Sequence, residues 1–139
     1  MKKIILTLFL LIVGTCTVSA QDIEYTAYFL QTDKWNPSTA TYTKHGFYRC
    51  NADIHFLLDM IIVRDTSGWS YFSRKSSYET SLKNGHTTEY YCTNESGRSC
   101  TISLIESSDI ILLDTRYDLF TITYEKYGQY MYWVRLKKK

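Results

Sequence analysis

The spacing of glycine constrains the fold of this chain more than any other feature. Glycine ends each of four four-residue segments, at residues 43–46, 65–68, 94–97 and 125–128. Glycine in this position is typical of a type I turn whose last residue is left-handed, which closes a short β-hairpin. Asn84-Gly85 is the signal of a two-residue type I′ hairpin. The sequence therefore predicts a series of hairpins.

The segments between these turns favour strands. The chain has 13 tyrosines and many Thr, Ile and Val residues, which suit a pleated sheet. Apolar and polar residues alternate, as in Ile23, Tyr25 and Ala27. We predict an all-β fold, a small antiparallel meander of about eight strands that forms either a β-sandwich or a closed β-barrel. One domain is expected over residues 21–139.

Three local predictions accompany this fold. Residues 77–83 are expected to form either a strand or a short helix, because Ser76 to Glu79 resembles a capping box. The apolar run 110–113 suits a central strand. Pairing across Gly128 sets Ile122 opposite Tyr132, which gives that hairpin one apolar and aromatic face directed inward.

Residues 1–20 predict a secretory signal peptide. Lys2 and Lys3 precede an apolar run over residues 4–13, and Val18 to Ala20 supplies small residues for cleavage. We therefore expect an exported protein, periplasmic or secreted, with no transmembrane segment after the signal. A lipid anchor at Cys16 is a minor alternative.

Removal of this signal changes the charge balance. The 16 Lys and Arg residues become 14 without Lys2 and Lys3, which equals the 14 Asp and Glu residues. A neutral domain has no excess charge for a phosphate backbone, so nucleic-acid binding is not expected.

Three cysteines remain after the signal. A three-residue turn at residues 95–97 would place Cys92 directly opposite Cys100, and an exported protein favours the oxidised form. We predict a Cys92–Cys100 disulfide with Cys50 as a buried small side chain. A Cys50–Cys92 bridge is the alternative.

Motifs for catalysis or metal binding are not recognised. His45, His55 and His86 have no second ligand at the spacing of a metal site, and no nucleophile elbow or phosphate loop is present. Asp114 and Asp118 have workable separation for a carboxylate pair, although Asp is also a common turn residue. We therefore predict no catalytic residue, no metal and no cofactor, with a hydrolase lacking a recognisable motif as the third functional hypothesis.

Surface aromatic residues are the main candidates for function. Our candidate binding residues are Tyr28, Trp35 (in a loop over residues 33–39), Tyr91, Tyr127 and Trp133. Aromatic side chains supply rigid contact area, but they also stabilise sheets as cross-strand pairs. The first hypothesis is a non-catalytic binding module for a protein or glycan partner. The second is a small barrel that holds an apolar ligand among inward-facing tyrosines.

Overall fold

The computed structural model describes residues 22–137, and its regular elements are ten strands. In chain order these are β1 (Ile23–Asn36), β2 (Thr41–Phe56), β3 (Met60–Asp65), β4 (Gly68–Leu82), β5 (Gly85–Asn94), β6 (Ser99–Ser107), β7 (Ile111–Leu112), β8 (Thr115–Arg116), β9 (Asp118–Tyr124) and β10 (Gly128–Leu136). Eight of them form a closed barrel in the order β1-β10-β9-β6-β5-β4-β3-β2, and β7 and β8 form a separate hairpin. The predicted all-β meander is confirmed, and the barrel is the form it takes.

The barrel closes where the first strand meets the last. β1 pairs antiparallel with β10 from Tyr25↔Leu136 to Lys34↔Gly128. All other neighbours in the barrel are also antiparallel. Closure removes the free edges that would otherwise pair with other chains.

The two ends of the barrel carry different connections. Short turns over residues 37–40, 66–67, 95–98 and 125–127 lie at one end, which we call the hairpin end. The first and last described residues, Asp22 and Lys137, lie at the other end, which we call the terminal end, together with the connections over residues 57–59, 83–84 and 108–117. This division follows directly from the up-and-down strand order.

Apolar side chains fill the middle of the barrel. The largest fully buried ones are Phe120, Ile54, Ile61, Ile102 and Val134. An eight-stranded barrel has an interior just wide enough for side chains to fill. Truncating Phe120 to Ala would cost about 3–5 kcal/mol on general grounds. The middle layer therefore separates the two ends.

The β9–β10 hairpin differs from the predicted register by two residues. Ile122 pairs with Tyr130 and Phe120 pairs with Tyr132. The loop is closed by a hydrogen bond of 3.1 Å from the Tyr127 N–H to the Tyr124 carbonyl, and Lys126 takes the positive φ of 56°. Because side chains alternate with a period of two, a two-residue shift keeps the same face inward.

The glycine turns are confirmed only in part. Gly68 and Gly97 have positive φ and end their turns. Gly46 instead lies inside β2, beside a register shift that marks a bulge opposite Thr32 and Asp33. Its role is to bend a long strand rather than to reverse the chain.

The helix predicted as an alternative for residues 77–83 is wrong. These residues belong to the end of β4 and to the turn that follows, and β4 pairs with β5 as far as Leu82↔Gly85. The two-residue turn is Lys83-Asn84, one residue earlier than the Asn-Gly signal indicated. Cross-strand pairing with β5 supplies the backbone hydrogen bonds that a helix would have supplied.

The apolar run 110–113 is not a central strand. β7 and β8 pair only with each other, and Ile111 and Leu113 are 63% and 70% exposed. Leu113 and Asp114 have φ values of 50° and 61°, as a two-residue primed turn requires. The run forms a small exposed hairpin at the terminal end.

The predicted disulfide is also wrong, although its register is right. Cys92 lies directly opposite Cys100, but both are free thiols, as is Cys50. The Asn94 N–H donates to the Arg98 carbonyl at 2.9 Å, and counting along the ladder from there places Cys92 and Cys100 at a hydrogen-bonded pair. Such pairs hold their Cβ atoms too far apart for an unstrained disulfide. The two side chains pack in the core instead.

The predicted signal peptide over residues 1–20 and the Cys16 anchor lie outside the described residues. Within residues 22–137 we find no helix that is long and apolar enough to cross a membrane.

Gly85 is required by a close approach between strands. A Cβ atom there would lie 1.8 Å from the Glu106 carbonyl oxygen, which is backbone and cannot move aside alone. We expect Gly85→Ala to lower the free energy of unfolding by about 2–4 kcal/mol. Gly46→Ala is the control, since its Cβ would meet only side chains, those of Thr32 at 3.2 Å and of Tyr48 at 3.4 Å, rather than backbone. Equal denaturant midpoints for the two variants would contradict this assignment.

The three thiols should be protected in the folded protein and free in the unfolded one. Burial raises the pKa of Cys50 and Cys100 to about 11 and that of Cys92 to about 12. Since the thiolate is the reactive form, alkylation at pH 8 should be about a hundredfold slower in native than in denatured protein. Mass spectrometry after alkylation in denaturant without reductant should show all three modified. If Cys92 and Cys100 were modified only after reduction, the result would show that they form a disulfide.

The same groups predict alkaline destabilisation. Their pKa values in the folded state lie above those of the unfolded state, so the folded state holds these protons more tightly. The resulting stability is fully present below about pH 8.5 and is lost as pH rises through about 11–12. Denaturant unfolding across this range should show the decline, and Cys92→Ala should reduce its slope. An unchanged slope would contradict burial of the thiol.

Candidate ligand-binding site at the hairpin end

A cavity of about 360 Å³ opens at the hairpin end of the barrel. Its lower part is apolar and is formed by Val63, Phe72 and Ile122. Its upper part is lined by Tyr124, Tyr127, Tyr130, Tyr132, Arg98, Asp65, Asn94 and Ser70. Mouths of β-barrels are common ligand sites, and this volume lies within the usual range for small-molecule pockets.

The tyrosines enter the cavity because of the alternation in β9 and β10. Ile122 and Tyr124 follow the buried Phe120 at intervals of two, and Tyr130 and Tyr132 precede the buried Val134 in the same way. Inward positions are thus apolar in the middle of the barrel and tyrosine near its mouth. Tyr132 is only 6% exposed, whereas Tyr127 in the turn is 58% exposed.

Arg98 is held between two of these rings. Its guanidinium carbon lies 4.3 Å from the ring centroid of Tyr127 and 5.3 Å from that of Tyr124. Cation–π contacts of this kind fix an arginine without removing its hydrogen-bond donors. The guanidinium is therefore positioned at the rim of the cavity.

Asn94 organises the turn that carries Arg98. Its Oδ1 accepts hydrogen bonds from the backbone N–H of Ser96 at 3.0 Å and of Arg98 at 2.9 Å. Its Nδ2 donates to the Tyr124 hydroxyl at 3.2 Å. One side chain thus shapes the β5–β6 turn and orients a tyrosine of the cavity.

The cavity is polar but has no net formal charge. Asp65 and Arg98 carry opposite charges, and the tyrosines are neutral. Burial raises the pKa of Tyr132 and that of Tyr124. At Tyr124 the hydrogen bond from Asn94 lowers the pKa, but by less than burial raises it. These hydroxyls therefore remain protonated and can both donate and accept hydrogen bonds.

Of the five predicted binding residues, only Tyr127 lines this cavity. Trp35 was predicted in a loop but lies in β1, where its ring packs edge-on against Tyr42 at 5.1 Å. Tyr91 is 43% exposed on the outer face and stacks on Tyr78 at 6.3 Å. Neither residue lines the cavity, although the Trp35 N–H donates to the Tyr127 carbonyl at 3.1 Å.

Tyr28 and Trp133 belong to a second group on the outside of the barrel, which we call the outer aromatic cluster. Its rings are those of Tyr28, Phe29, Phe47, Tyr117 and Trp133. Phe47 contacts Phe29 at 5.6 Å and Trp133 at 5.4 Å, while Tyr117 contacts Tyr28 and Phe29, each at 6.0 Å. Tyr28 enters this group because it is the extra residue at a bulge of β1.

Most residues of this cavity were not predicted as binding residues. Pairing across Gly128 predicted an inward aromatic face, and Tyr124, Tyr130 and Tyr132 lie on it, but none of the three was among the candidate binding residues. Asp65 was assigned to the turn over residues 65–68, and Arg98, which follows the turn over residues 94–97, was not considered for binding. The detectable signal was an inward face that changes from Phe and Ile to Tyr toward the hairpin end.

The three residues Asp22, Glu24 and His55 form an ion-pair cluster that was not predicted. The His55 Nδ1 lies 3.2 Å from Glu24 Oε1 and 3.8 Å from Asp22 Oδ1. Lys137 Nζ lies 3.3 Å from Glu24 Oε2, and the Lys137 N–H donates to the Glu24 carbonyl at 2.9 Å. Since Lys137 already supplies a cation, the cluster fits a role in holding the two ends of the chain together at the barrel seam.

No protein-family model matches this chain, and no curated protein or solved structure matches it. The chemistry of the cavity is consequently the basis on which a function is proposed.

Proposed function

We propose that this chain is an exported, non-catalytic binding module that takes a neutral, hydroxyl-bearing ring, such as one sugar residue of a glycan, into the cavity at the hairpin end. The observation that carries the proposal is the cavity itself, with four tyrosines and an Arg98–Asp65 pair of cancelling charge above an apolar floor. Export is supported by the signal predicted in residues 1–20.

The lining matches the two kinds of surface of a sugar ring. Tyrosine faces pack against the apolar C–H faces of such a ring, and tyrosine hydroxyls bond to its hydroxyl groups. Arg98 adds donors, and Asp65 adds acceptors, both at the rim. Because the tyrosine rings are large and rigid, ordering them on binding costs little entropy.

The apolar-ligand hypothesis is less well supported by this geometry. Fully buried side chains such as Phe120 and Ile102 occupy the middle of the barrel. An apolar molecule confined to the mouth would cover tyrosine hydroxyls and Arg98 without satisfying them, which is unfavourable. A glycosidase, the kind of hydrolase for which carboxylate pairs were considered, needs two facing carboxylates, and the residues lining this cavity supply Asp65 alone.

The outer aromatic cluster is a second candidate, for a protein partner. Tyr28 and Phe47 are 40% and 38% exposed, Lys44 Nζ lies 5.0 Å from the Phe47 centroid, and the Arg49 guanidinium carbon lies 5.8 Å from that of Phe29. Aromatic residues and arginine are enriched at protein interfaces, whereas lysine is depleted. The rings also pack against one another, however, and such contacts stabilise a sheet without any partner.

Titration of the purified protein with neutral mono- and disaccharides, followed by isothermal calorimetry or ligand-observed NMR, tests the first proposal. We expect at least one sugar to bind, and Tyr127→Ala to weaken its affinity at least about tenfold, because an aromatic face and the ordering of Arg98 are both lost. Arg98→Lys should also weaken binding, since a lysine cannot stack in the same way.

Tyr78→Ala is the matched control, because Tyr78 is 50% exposed near the terminal end and does not line this cavity. It should leave the affinity unchanged. Loss of binding in Tyr78→Ala with retention in Tyr127→Ala would move the site away from the hairpin end. Absence of binding by every sugar tested would overturn the proposal.

A further inference from the structure

The terminal end of the barrel has a cavity of its own, with a volume of about 630 Å³. Its lining includes apolar side chains, among them Phe56, Leu58 and Leu104, and the tyrosines Tyr25, Tyr78 and Tyr90. It also includes the carboxylates Glu79 and Glu106, whereas the cavity at the hairpin end has Asp65 as its one carboxylate. The cavity thus places two carboxylates beside apolar side chains.

Arg74 lies in this cavity but its guanidinium is already engaged. Its Nη1 donates to the Leu57 carbonyl at 2.6 Å, and its guanidinium carbon lies 4.6 Å from the centroid of Tyr90. These contacts hold the β2–β3 connection against the barrel. Arg74 keeps its positive charge, but Glu79 and Glu106 outnumber it among the residues that line the cavity, so the charged side chains of the lining sum to a net negative charge.

The negative charge of Glu106 raises the pKa of two neighbouring groups. Burial raises the pKa of Tyr25 and of Asp118, and in both the Glu106 carboxylate is the next largest cause of the increase. Two carboxylates, Glu106 and Asp118, therefore lie close enough to repel each other at this end. His86 Nε2 lies 3.1 Å from Glu106 Oε1, a contact that is an ion pair only when His86 is protonated.

We propose that this second cavity binds an organic cation, a primary ammonium carried on an apolar stem, as in an alkylamine or a lysine side chain. The stem would pack against Phe56, Leu58 and Leu104, and the ammonium would reach Glu79 and Glu106. The carboxylate of Glu79 already accepts a hydrogen bond from Thr88 Oγ1 at 3.4 Å, which leaves lone pairs for a second donor.

This site is independent of the one at the hairpin end. Phe120, Ile61 and Ile102 occupy the barrel between the two cavities and are fully buried. A ligand at one end therefore does not reach the other, and either site can fail a test without the other failing.

The test uses n-hexylammonium as the probe in NMR titrations of the purified protein near pH 8, with 1-hexanol and hexanoate as matched probes. We expect hexylammonium to bind at least about tenfold more tightly than hexanol, because only the cation interacts with the two carboxylates. Hexanoate should not bind. Equal affinity for hexylammonium and hexanol would overturn the proposal.

Two variants locate the site. Glu79→Gln and Glu106→Gln should each weaken hexylammonium binding about fivefold or more while leaving hexanol unchanged. Glu79 is exposed, so its variant remains informative if Glu106→Gln does not fold. Glu125→Gln removes the same charge at the hairpin end and should have no effect. If all three variants weakened hexylammonium binding equally, the effect of charge would be nonspecific and the proposed site would be wrong.

Discussion

The pairing of β1 with β10 is the constraint on which the rest of the structure depends. It joins residues about a hundred positions apart in the sequence, at a large cost in chain entropy, and it turns an open meander into a barrel. Once the sheet is closed, every strand has one face inside, and the interior must be filled by side chains. The buried Val134 and Ala27 lie opposite one another at this seam.

Closure also creates two ends of different character. The chain reverses direction at both ends of the barrel. The inward positions nearest the turns are therefore only partly covered, and each end has a cavity. At the hairpin end these positions hold tyrosines with one arginine and one aspartate. At the terminal end they hold Glu79, Glu106 and an engaged Arg74. The filled middle keeps the two environments apart, which is why we assign them different ligands.

Much of the barrel was predictable because hairpins are local. Alternation and turn residues placed Cys92 opposite Cys100, and they placed Tyr124 and Tyr132 on the inward face. The errors have physical reasons. Gly46 was assigned to a turn although it lies at a bulge, because bulges and turns both favour glycine. The predicted disulfide was wrong because two cysteines that lie directly opposite each other are not always close enough to bond. At a hydrogen-bonded pair of an antiparallel ladder, the sulfurs stay apart. Residues 110–113 are apolar but exposed, and composition alone cannot reveal that a short hairpin stands away from the barrel.

The sequence by itself determined the fold class, the positions of most hairpins and the inward face of each strand, because these depend on the local period of two and on turn chemistry. Tertiary structure alone decided that the sheet closes, and with it which residues meet at the two ends. Arg98 and Asp65 are 33 positions apart and Glu79 and Glu106 are 27 apart in the chain, and their proximity follows from the curvature and stagger of the barrel. No local pattern carries that information.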